Sequence, residues 1–380
     1  MAKRSALVSS YSRVQSIGIL GAGLMGLEIA ALNVRNFFPV RIYDSDPAML
    51  ATVHSRLAEE LADVEDDEVR AEMLSLAEPG TLEELGECDL LIEAIVEKME
   101  VKAELYQTMK PFLRPNAIFT SNTSTIPIEK LSDVFPYPKN FAGLHFLHPV
   151  WNRELVEVIP SSKTSELVLQ RLSDYAISLE KTPLCVSDCP GFVVNRLLQP
   201  YLNEGLNLLL EGVPMEKVEE GALEFGMTWG PLRIMDEIGL DTVMNAGKVL
   251  YMAYPERTAL SPILVSMMKK KLLGRKRGEG FYLWGENWRE NVHTHDFQPS
   301  GFNPAVQKLV EKWKAEKPLD ISTAEIGNRL AAAMADEAFR ILEDDVVSDQ
   351  GQVDMAAVIG LAFPESKRGP IAWKLYEAER

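Results

Sequence analysis

Short apolar runs alternate with helix-like segments through the first half of the chain. In the helix-like segments apolar residues recur every three or four positions, whereas the runs between them are continuously apolar. This alternation is typical of an α/β domain built around a doubly wound, mainly parallel sheet. The predicted strands are residues 17–20, 40–43, 90–95, 117–120 and 141–146, with edge strands at 155–159 and 184–186, and the predicted helices are residues 24–33, 47–61 and 101–112.

The pattern changes behind a turn at residues 188–191, after which most of the remaining chain has helical periodicity. A polar segment with proline and glycine at 285–304 is predicted to be a linker. Similarity between helices on either side of it indicates an internal repeat, with chance similarity of amphipathic helices as the alternative. At a constant offset of 133 residues, Asn195-Arg-Leu-Leu, Asn203-Glu204 and Glu211 match Asn328-Arg-Leu-Ala, Asp336-Glu337 and Asp344, and Gly230-Pro231 matches Gly369-Pro370 at a slightly larger offset. The second half is therefore predicted to be an all-α domain made of two repeated helical modules.

A glycine motif follows the first predicted strand and opens the first predicted helix. Gly21, Gly23 and Gly26 fit G-x-G-x-x-G, and the second predicted strand is followed by Asp44, eighteen residues after Gly26. The first glycine permits a tight turn, the second lets the backbone approach a pyrophosphate, and the third lets the helix pack on the strand. A carboxylate at Asp44 can accept hydrogen bonds from the adenosine ribose and would repel a 2′-phosphate. The motif predicts a Rossmann-type domain that binds NAD rather than NADP.

Composition and charge narrow the class of partner. The chain has 380 residues, is 46% hydrophobic and carries a net charge of −17, which argues against nucleic acid or an anionic membrane as its main partner. Its three cysteines are too few for a disulfide framework, and Cys185 and Cys189 lack a second pair of metal ligands. No apolar run reaches membrane-spanning length. We therefore expect a cytoplasmic protein with free thiols, no metal site and a small-molecule substrate.

Polar clusters at three predicted strand ends are the candidates for chemistry. They lie at residues 93–98, 121–125 and 143–149. A substrate beside a bound dinucleotide meets loops at the carboxyl ends of the strands, so these clusters face it.

The positions of the histidines indicate which of these clusters could accept a proton. Oxidation of an alcohol with NAD removes a proton as well as a hydride, and histidine is the usual proton acceptor near neutral pH. The chain has five. His54 lies in a predicted surface helix, and His293 and His295 lie in the predicted linker. That leaves His145 and His148 at the end of a strand.

His145 has a carboxylate twelve residues further on, at Glu157, which could fix its tautomer and stabilise the imidazolium. A satisfied core histidine is the alternative for His145. Ser124 could bond the reacting oxygen, although serine is also a common turn and N-cap residue. Asn195 could donate to the same oxygen, or it could cap a helix or bond between domains.

At these residues the sequence resembles the L-3-hydroxyacyl-CoA dehydrogenase family along nearly its whole length. The motifs that carry the resemblance are Gly21-Ala-Gly-Leu-Met-Gly26, Ile92-Glu-Ala-Ile-Val-Glu97, Ser121-Asn-Thr-Ser124, Gly143-Leu-His-Phe146, Leu155-Val-Glu-Val158, Pro190-Gly-Phe-Val-Val-Asn-Arg196, Gly230-Pro231, Gly239-Leu-Asp241 and Gly280-Phe-Tyr282. The doubled helical module looks like the dehydrogenase part of multifunctional fatty-acid oxidation proteins.

The resemblance implies NAD-dependent oxidation of an L-3-hydroxyacyl-CoA, or the reverse reduction, as part of fatty-acid β-oxidation. His145 would be the general base, Glu157 its partner, and Ser124 and Asn195 the groups that bond the substrate oxygen. Glu97 would lie near the nicotinamide and Lys102 near the thioester substrate. The implied cofactor-binding residues are Gly21, Gly23, Leu24, Met25, Gly26, Asp44, Glu97, Lys102 and Asn122.

Three departures from the family weaken the choice of substrate. One is in the last module, where residues 360–370 contain less glycine and proline than relatives usually carry. His148 stands where the family often has asparagine, and it could add a second titrating group. The segment between Asp44 and Asp89 is short, and its residues 59–72 are strongly acidic, a poor surface for coenzyme A phosphates. A dehydrogenase of a free hydroxy acid or another small alcohol, and a non-catalytic NAD-binding scaffold, are therefore the alternatives.

The predicted organisation follows from these patterns. It comprises an N-terminal tail at 1–13, an NAD-binding Rossmann domain at 14–187, a first helical module at 188–284, a linker at 285–304 and a second helical module at 305–380. Family members with one helical module pair it with the same module of a second subunit. Two modules in one chain could satisfy that contact internally, so the resemblance predicts a monomer.

Overall fold

A computed structural model of the chain describes residues 14–257, 260–288 and 297–379. The predicted tail at 1–13, together with His293 and His295, lies outside these residues. The chain divides into two compact units, of which the first ends at Asp188 and the second begins at Cys189. Within the described ranges no helix is both long enough and apolar enough to span a membrane.

The first unit is built on an eight-stranded sheet in the order β3-β2-β1-β4-β5-β6-β7-β8. Neighbouring strands are parallel except β6 and β7, which run antiparallel. The inner strands are buried on both faces, which is why they read as continuous apolar runs. The strands are β1 (Ile17–Leu20), β2 (Val40–Tyr43), β3 (Ala77–Pro79), β4 (Leu90–Glu93), β5 (Ile118–Ser121), β6 (Phe141–Phe146), β7 (Leu155–Pro160) and β8 (Thr182–Cys185).

All seven predicted strands are confirmed, with ends that shift by at most two residues. Strand β3 was not predicted, because it has three residues and contains proline, which sheets tolerate at an edge. The prediction for β7 was wrong in one respect: this strand is not an edge, since β8 pairs with it on the outer side.

Eight helices accompany this sheet in the described part of the first unit. They are α1 (Leu24–Arg35), α2 (Pro47–Ala51), α3 (Val53–Glu60), α4 (Asp67–Ser75), α5 (Leu82–Gly86), α6 (Met99–Met109), α7 (Ile128–Val134) and α8 (Glu166–Ser178). The helix predicted over 47–61 is interrupted at Thr52, whose hydroxyl donates to the carbonyl of Met49 instead of leaving it to the helix. The acidic segment contains the end of α3 and the start of α4, which Asp66 caps.

The second unit is helical. Its helices are α9 (Val194–Leu210), α10 (Met215–Phe225), α11 (Pro231–Ile238), α12 (Leu240–Ala253), α13 (Pro262–Lys269), α14 (Pro304–Trp313), α15 (Thr323–Glu343), α16 (Gln350–Met355) and α17 (Pro370–Ala378), with a π-helical turn at Ala356–Gly360. Helix α15 packs against both α9 and α10. Where α10 and α15 cross, a Cβ on Gly327 would lie 2.6 Å from the carbonyl oxygen of Gly221, so only glycine fits there.

The two Gly-Pro pairs of the repeat have the same surroundings. In each, proline is the first residue of a helix and the next backbone N–H donates to a buried carboxylate: Leu232 to Glu219 and Ile371 to Asp354, both at 2.8 Å. A Cβ on the preceding glycine would clash with that carboxylate in both cases. The repeated dipeptide is thus a helix start that is stabilised by a buried acid.

The glycine-rich segment 274–282 folds around Asp236. The carboxylate of Asp236 accepts hydrogen bonds from the backbone N–H groups of Phe281 (2.8 Å) and Tyr282 (2.9 Å) and from Nε1 of Trp284 (3.1 Å). A Cβ on Gly280 would lie 2.0 Å from one oxygen of Asp236. The segment therefore needs its glycines for packing.

Part of the predicted linker is ordered against the helices. Strand β10 (Gly301–Phe302) pairs antiparallel with β9 (Tyr282–Leu283), and the Phe297 ring stacks on Trp284. Residues 289–296 lie outside the described ranges.

Candidate active site

His145 and Glu157 form a hydrogen-bonded pair inside the first unit. They stand directly opposite each other in the antiparallel register of β6 and β7, so their side chains lie on the same face of the sheet. His145 Nδ1 is 2.7 Å from Glu157 Oε2, and Glu157 is fully buried. Because a carboxylate only accepts, Nδ1 carries the proton and Nε2 is left to face the other way. The twelve-residue spacing thus reflects one strand, a turn and a return strand.

Ser124 completes a chain of three polar side chains. Its Oγ is 3.1 Å from His145 Nε2. Ser124 follows β5, the neighbour of β6, so both residues lie at the carboxyl edge of the parallel part of the sheet. The structure therefore brings Ser124, His145 and Glu157 together as the sequence predicted.

Glu97 holds the loop that carries Ser124. One oxygen of Glu97 accepts hydrogen bonds from the Thr123 hydroxyl (2.5 Å), the backbone N–H of Ser124 (3.1 Å), and both the backbone N–H (3.0 Å) and hydroxyl (2.8 Å) of Thr125. Burial would raise the pKa of Glu97, but Lys102 and these donors outweigh it and hold the pKa below its ordinary value. Glu97 is therefore a charged anchor for the loop.

Lys102 is buried, with 1% of its surface exposed. Its Nζ lies 2.6 Å from Glu93 Oε1 and 3.3 Å from Glu97 Oε2. Glu93 also accepts from the hydroxyls of Ser121 and Tyr106. Lys102 thus pairs with two carboxylates. One of them, Glu97, holds the Ser124 loop, so Lys102 is linked to that loop through Glu97. The role of Lys102 near a thioester stays a prediction.

The glycine turn fits a dinucleotide. Gly21 has φ of +111°, and a Cβ there would lie 2.6 Å from the carbonyl oxygen of Ala94. Gly23 is the N-cap of α1 and has no side chain to cap the helix. Apart from its chain neighbours, no atom of the described residues lies within 4 Å of where a Cβ would stand. Leu24 and Met25 form the first turn beside this open space, where N–H groups are available to phosphate oxygens.

Asp44 lies beside the turn. It accepts hydrogen bonds from the backbone N–H groups of Ala22 (2.8 Å) and Asp46 (2.9 Å), which leaves lone pairs for ribose hydroxyls. Arg56, which the sequence did not single out, donates to the carbonyl of Ala22 at 2.8 Å. Arg56 therefore places a positive charge beside the glycine turn. In the sequence, Arg56 stands out only as one basic residue within an acidic helix.

Asn122 joins two strand ends, since its Oδ1 accepts a hydrogen bond of 2.7 Å from the backbone N–H of Phe146. Asn195 is the second residue of α9 and belongs to the second unit. Ligand contacts of Asn122 and Asn195 stay predictions.

His148 has its own carboxylate, separate from the pair formed by His145. Its Nδ1 is 2.9 Å from Glu28 Oε1, and the other oxygen of Glu28 accepts a hydrogen bond of 2.8 Å from the backbone N–H of Val150. Glu28 is a buried residue of α1. A second acid, Glu60, is affected by it: burial of Glu60 and the negative charge of Glu28 raise the pKa of Glu60 to about 7. The sequence did not reveal Glu28, because a single acid in an apolar helix gives no pattern.

No group of three or more histidine, cysteine or acidic side chains stands where it could hold a metal ion, in the part of the chain that is described. Cys88 is buried, and burial raises the pKa of its thiol to about 11.

Two family models match consecutive parts of the chain. Residues 16–189 match the 3-hydroxyacyl-CoA dehydrogenase NAD binding domain, and residues 191–284 match the C-terminal domain of the same family. Together they span well over half of the chain.

Solved structures agree with this match. The (S)-3-hydroxybutyryl-CoA dehydrogenase PaaH1 from Ralstonia eutropha is 33% identical, with a TM-score of 0.66 over 72% of this chain and 100% of that one. The 3-hydroxybutyryl-CoA dehydrogenase of Escherichia coli is 25% identical, with a TM-score of 0.79 over 96% of this chain and 92% of that one. The dehydrogenase part of multifunctional enzyme 1 from C. elegans, at 24% identity and a TM-score of 0.67 over 92% of this chain and 79% of that one, shares the fold.

Proposed function

Because the chain belongs to the 3-hydroxyacyl-CoA dehydrogenase family, we propose that it oxidises an L-3-hydroxyacyl-CoA to the 3-oxoacyl-CoA, or catalyses the reverse reduction. It is an oxidoreductase that acts on a CH–OH group, and its cofactor is NAD. The observation that carries the proposal is the hydrogen-bonded series Ser124–His145–Glu157 at the carboxyl edge of the sheet.

Each side chain of the Ser124–His145–Glu157 series has its own role in this reaction. Bound NAD would supply the acceptor for the hydride that leaves C3 of the substrate. His145 Nε2 takes the hydroxyl proton, and Glu157, 2.7 Å from Nδ1, stabilises the imidazolium that forms. A substrate oxygen within reach of both Nε2 and Ser124 Oγ would also receive a hydrogen bond from Ser124. Preorganised donors of this kind typically contribute about 3 kcal/mol to the transition state.

Asn195 is proposed as a second donor to the same oxygen. This role rests on the family motif Pro190-Gly-Phe-Val-Val-Asn-Arg196. Glu97 and Lys102 are proposed as positioning residues, because Glu97 holds the Ser124 loop and Lys102 holds Glu97. The glycine turn and Asp44 are proposed to bind the cofactor, with Asn122 beside it.

The experiment that tests the substrate compares thioesters with free acids. NADH oxidation should be measured with a chain-length series of 3-oxoacyl-CoA compounds and with the corresponding free 3-oxo acids. We expect kcat/KM to be higher for the thioester by about 100-fold or more, as a site built to bind coenzyme A rejects substrates without it. Equal or better turnover of free acetoacetate would overturn the proposal.

The second candidate, a dehydrogenase of a free hydroxy acid, is favoured by the surface around α3 and α4. Seven acidic side chains there are exposed, namely Glu59, Asp63, Glu65, Asp66, Asp67, Glu68 and Glu72. Negative charge repels the phosphates of coenzyme A. If NADH bound stoichiometrically but no 3-oxo compound were turned over, a non-catalytic scaffold would be the conclusion instead.

We also propose that the chain is a monomer with two helical modules, at 188–284 and 305–380, and that it is cytoplasmic. Ion pairs between the two repeats, Arg196–Glu337 and Arg329–Glu204, support the pairing of the two modules within one chain. Sedimentation velocity should give the mass of one chain, near 42.4 kDa. A mass of two chains would overturn this proposal.

A further inference from the structure

The turn between β6 and β7 joins the two strands that carry His145 and Glu157. It runs over residues 147–154, directly beyond the last paired residues of the two strands, Phe146 and Val156. A connection of this length is not fixed by the hydrogen bond of a two-residue hairpin turn, so other contacts must determine its conformation. Because the turn begins two residues after His145, these contacts also bear on the position of His145.

Two buried side chains of opposite charge hold the backbone of Val150 in the middle of this turn. Glu28 of α1 accepts a hydrogen bond of 2.8 Å from the N–H of Val150, and Lys181 Nζ donates one of 2.7 Å to the Val150 carbonyl. Glu28 is 4% exposed and Lys181 is 7% exposed. Hydrogen bonds to charged groups are stronger than those between neutral groups, so the turn is firmly held at Val150.

Both side chains make a second contact with the turn. The other oxygen of Glu28 lies 2.9 Å from Nδ1 of His148, and Lys181 Nζ also donates to the carbonyl of Arg153 at 2.7 Å. Glu28 therefore holds the part of the turn that follows β6, and Lys181 holds the part that leads into β7. We call Glu28 and Lys181 the turn clamp.

The turn clamp connects the proton-transfer pair to two other elements of the first unit. Glu28 lies on α1, whose first turn is proposed to bind the cofactor, and Lys181 directly precedes β8, the outer neighbour of β7. A displacement of about 1 Å in a reacting group can lower a rate about a hundredfold. A looser turn should therefore slow the reaction more than it weakens binding.

We propose that Glu28 and Lys181 are positioning residues for proton transfer by His145. They hold the β6–β7 turn, and through it they keep His145 against Glu157 with Nε2 directed towards the substrate. The inference rests on the proposed function, because the step that the turn clamp serves is proton transfer at His145.

The test compares Glu28→Met with Glu28→Gln, which have side chains of similar length, in the full chain. Methionine bonds neither Val150 nor His148, whereas glutamine can accept from the Val150 N–H and donate to Nδ1 of a neutral imidazole. With acetoacetyl-CoA and NADH, we expect Glu28→Met to lower kcat by about 10- to 100-fold. The KM for the thioester and the NADH affinity, from fluorescence titration, should change by about twofold or less. Glu28→Gln should restore kcat to within about threefold of the wild type.

Lys181→Met removes the other half of the turn clamp and should lower kcat in the same way. Tyr175→Phe is the matched control, because the Tyr175 hydroxyl donates to Asn33 of α1 at 2.8 Å. Its loss removes a buried hydrogen bond of the same helix without affecting the turn. This variant should keep kcat within about twofold of the wild type.

Hydrogen exchange measures the turn without requiring turnover. The amide of Val150 should exchange about tenfold faster or more in Glu28→Met than in the wild type, and Tyr175→Phe should leave it unchanged.

Three results would overturn the inference alone, provided that the wild type is active. They are wild-type kcat in both Glu28→Met and Lys181→Met, equal loss of kcat in Glu28→Met and in either Glu28→Gln or Tyr175→Phe, and unchanged exchange at Val150 in Glu28→Met. Absence of acetoacetyl-CoA turnover by the wild type would overturn the proposed function, and the inference with it.

Discussion

Arg196 and Arg329 exchange acidic partners between the two long helices of the second unit. The two arginines are 133 residues apart, at equivalent positions of the internal repeat, and their carboxylate partners are equivalent too. The ion pairs, all between 2.5 and 2.7 Å, join Arg196 to Glu337 and Asp344, and Arg329 to Glu204 and Glu211. Each repeat thus gives one arginine and receives the other, as two copies do across a two-fold interface.

Replacing the buried Arg196 should lower the free energy of unfolding more than replacing Arg329. The Arg196 side chain is fully buried, whereas that of Arg329 is 33% exposed. Arg196→Met leaves Glu337 buried without its nearest cation, and we expect a loss of about 3 kcal/mol in the free energy of unfolding. Arg329→Met should cost about 1 kcal/mol or less, because solvent screens an exposed pair.

Urea unfolding of both variants, followed by circular dichroism, checks this prediction. Arg329→Met serves as the matched control for the loss of one charge and one long side chain. Equal destabilisation by the two substitutions would show that burial does not decide the strength of these pairs.

His145→Gln should separate binding from catalysis. Glutamine can still donate to Glu157, so the β6–β7 register is kept, but it cannot take a proton. We expect turnover to fall by about a thousandfold, within the range for loss of a general base. NADH affinity, measured by fluorescence titration, should stay unchanged. Turnover near that of the wild type would remove His145 from the mechanism.

The sequence predicted those parts of the site that depend on where individual strands end and on the spacing between consecutive strands. His145 and Glu157 are twelve residues apart on consecutive strands, and Ser124 ends a strand that the apolar pattern had already located. Parallel strands present their carboxyl ends at one edge, so three strand ends predicted one cluster.

Other features depend on contacts across the fold. The resemblance predicted Lys102 near the substrate, but no sequence pattern indicated its ion pair with Glu93, at the end of an inner strand, at 2.6 Å. The sequence pattern of α1 likewise gave no indication that Glu28 pairs with His148. Charge compensation inside a core depends on which elements pack together, and the local pattern of residues along the chain does not show that.

Lys102→Met should destabilise the first unit. It leaves the fully buried Glu93 without its cation and loosens Glu97, so we expect a loss of about 3–5 kcal/mol in the free energy of unfolding. Lys110→Met, an exposed lysine that follows the same helix, is the matched control and should change stability by about 0.5 kcal/mol or less. A small effect at Lys102 would mean that Glu93 is held by its hydroxyl donors.

Two buried carboxyls make the stability of the second unit depend on pH. Burial raises the pKa of both Glu219 and Asp236 to about 7, from ordinary values of 4.5 and 3.8. The folded state therefore holds more protons than the unfolded chain between those values. This contribution to stability is fully present at a pH below the ordinary pKa values and is lost as the pH rises through about 7.

Glu219→Gln should remove its share of this dependence. Glutamine can accept from the backbone N–H of Leu232 and donate to the Tyr282 hydroxyl, which can accept, so these two contacts of Glu219 survive. We expect the decrease in unfolding free energy between pH 5 and pH 8 to become smaller by up to about 3 kcal/mol. Asp236→Asn is the contrasting variant: all three partners of Asp236 are N–H donors, so an amide nitrogen must face one of them, and stability should fall at every pH. Urea unfolding across that pH range distinguishes the two, and an unchanged pH slope in Glu219→Gln would show that Glu219 is ionised throughout.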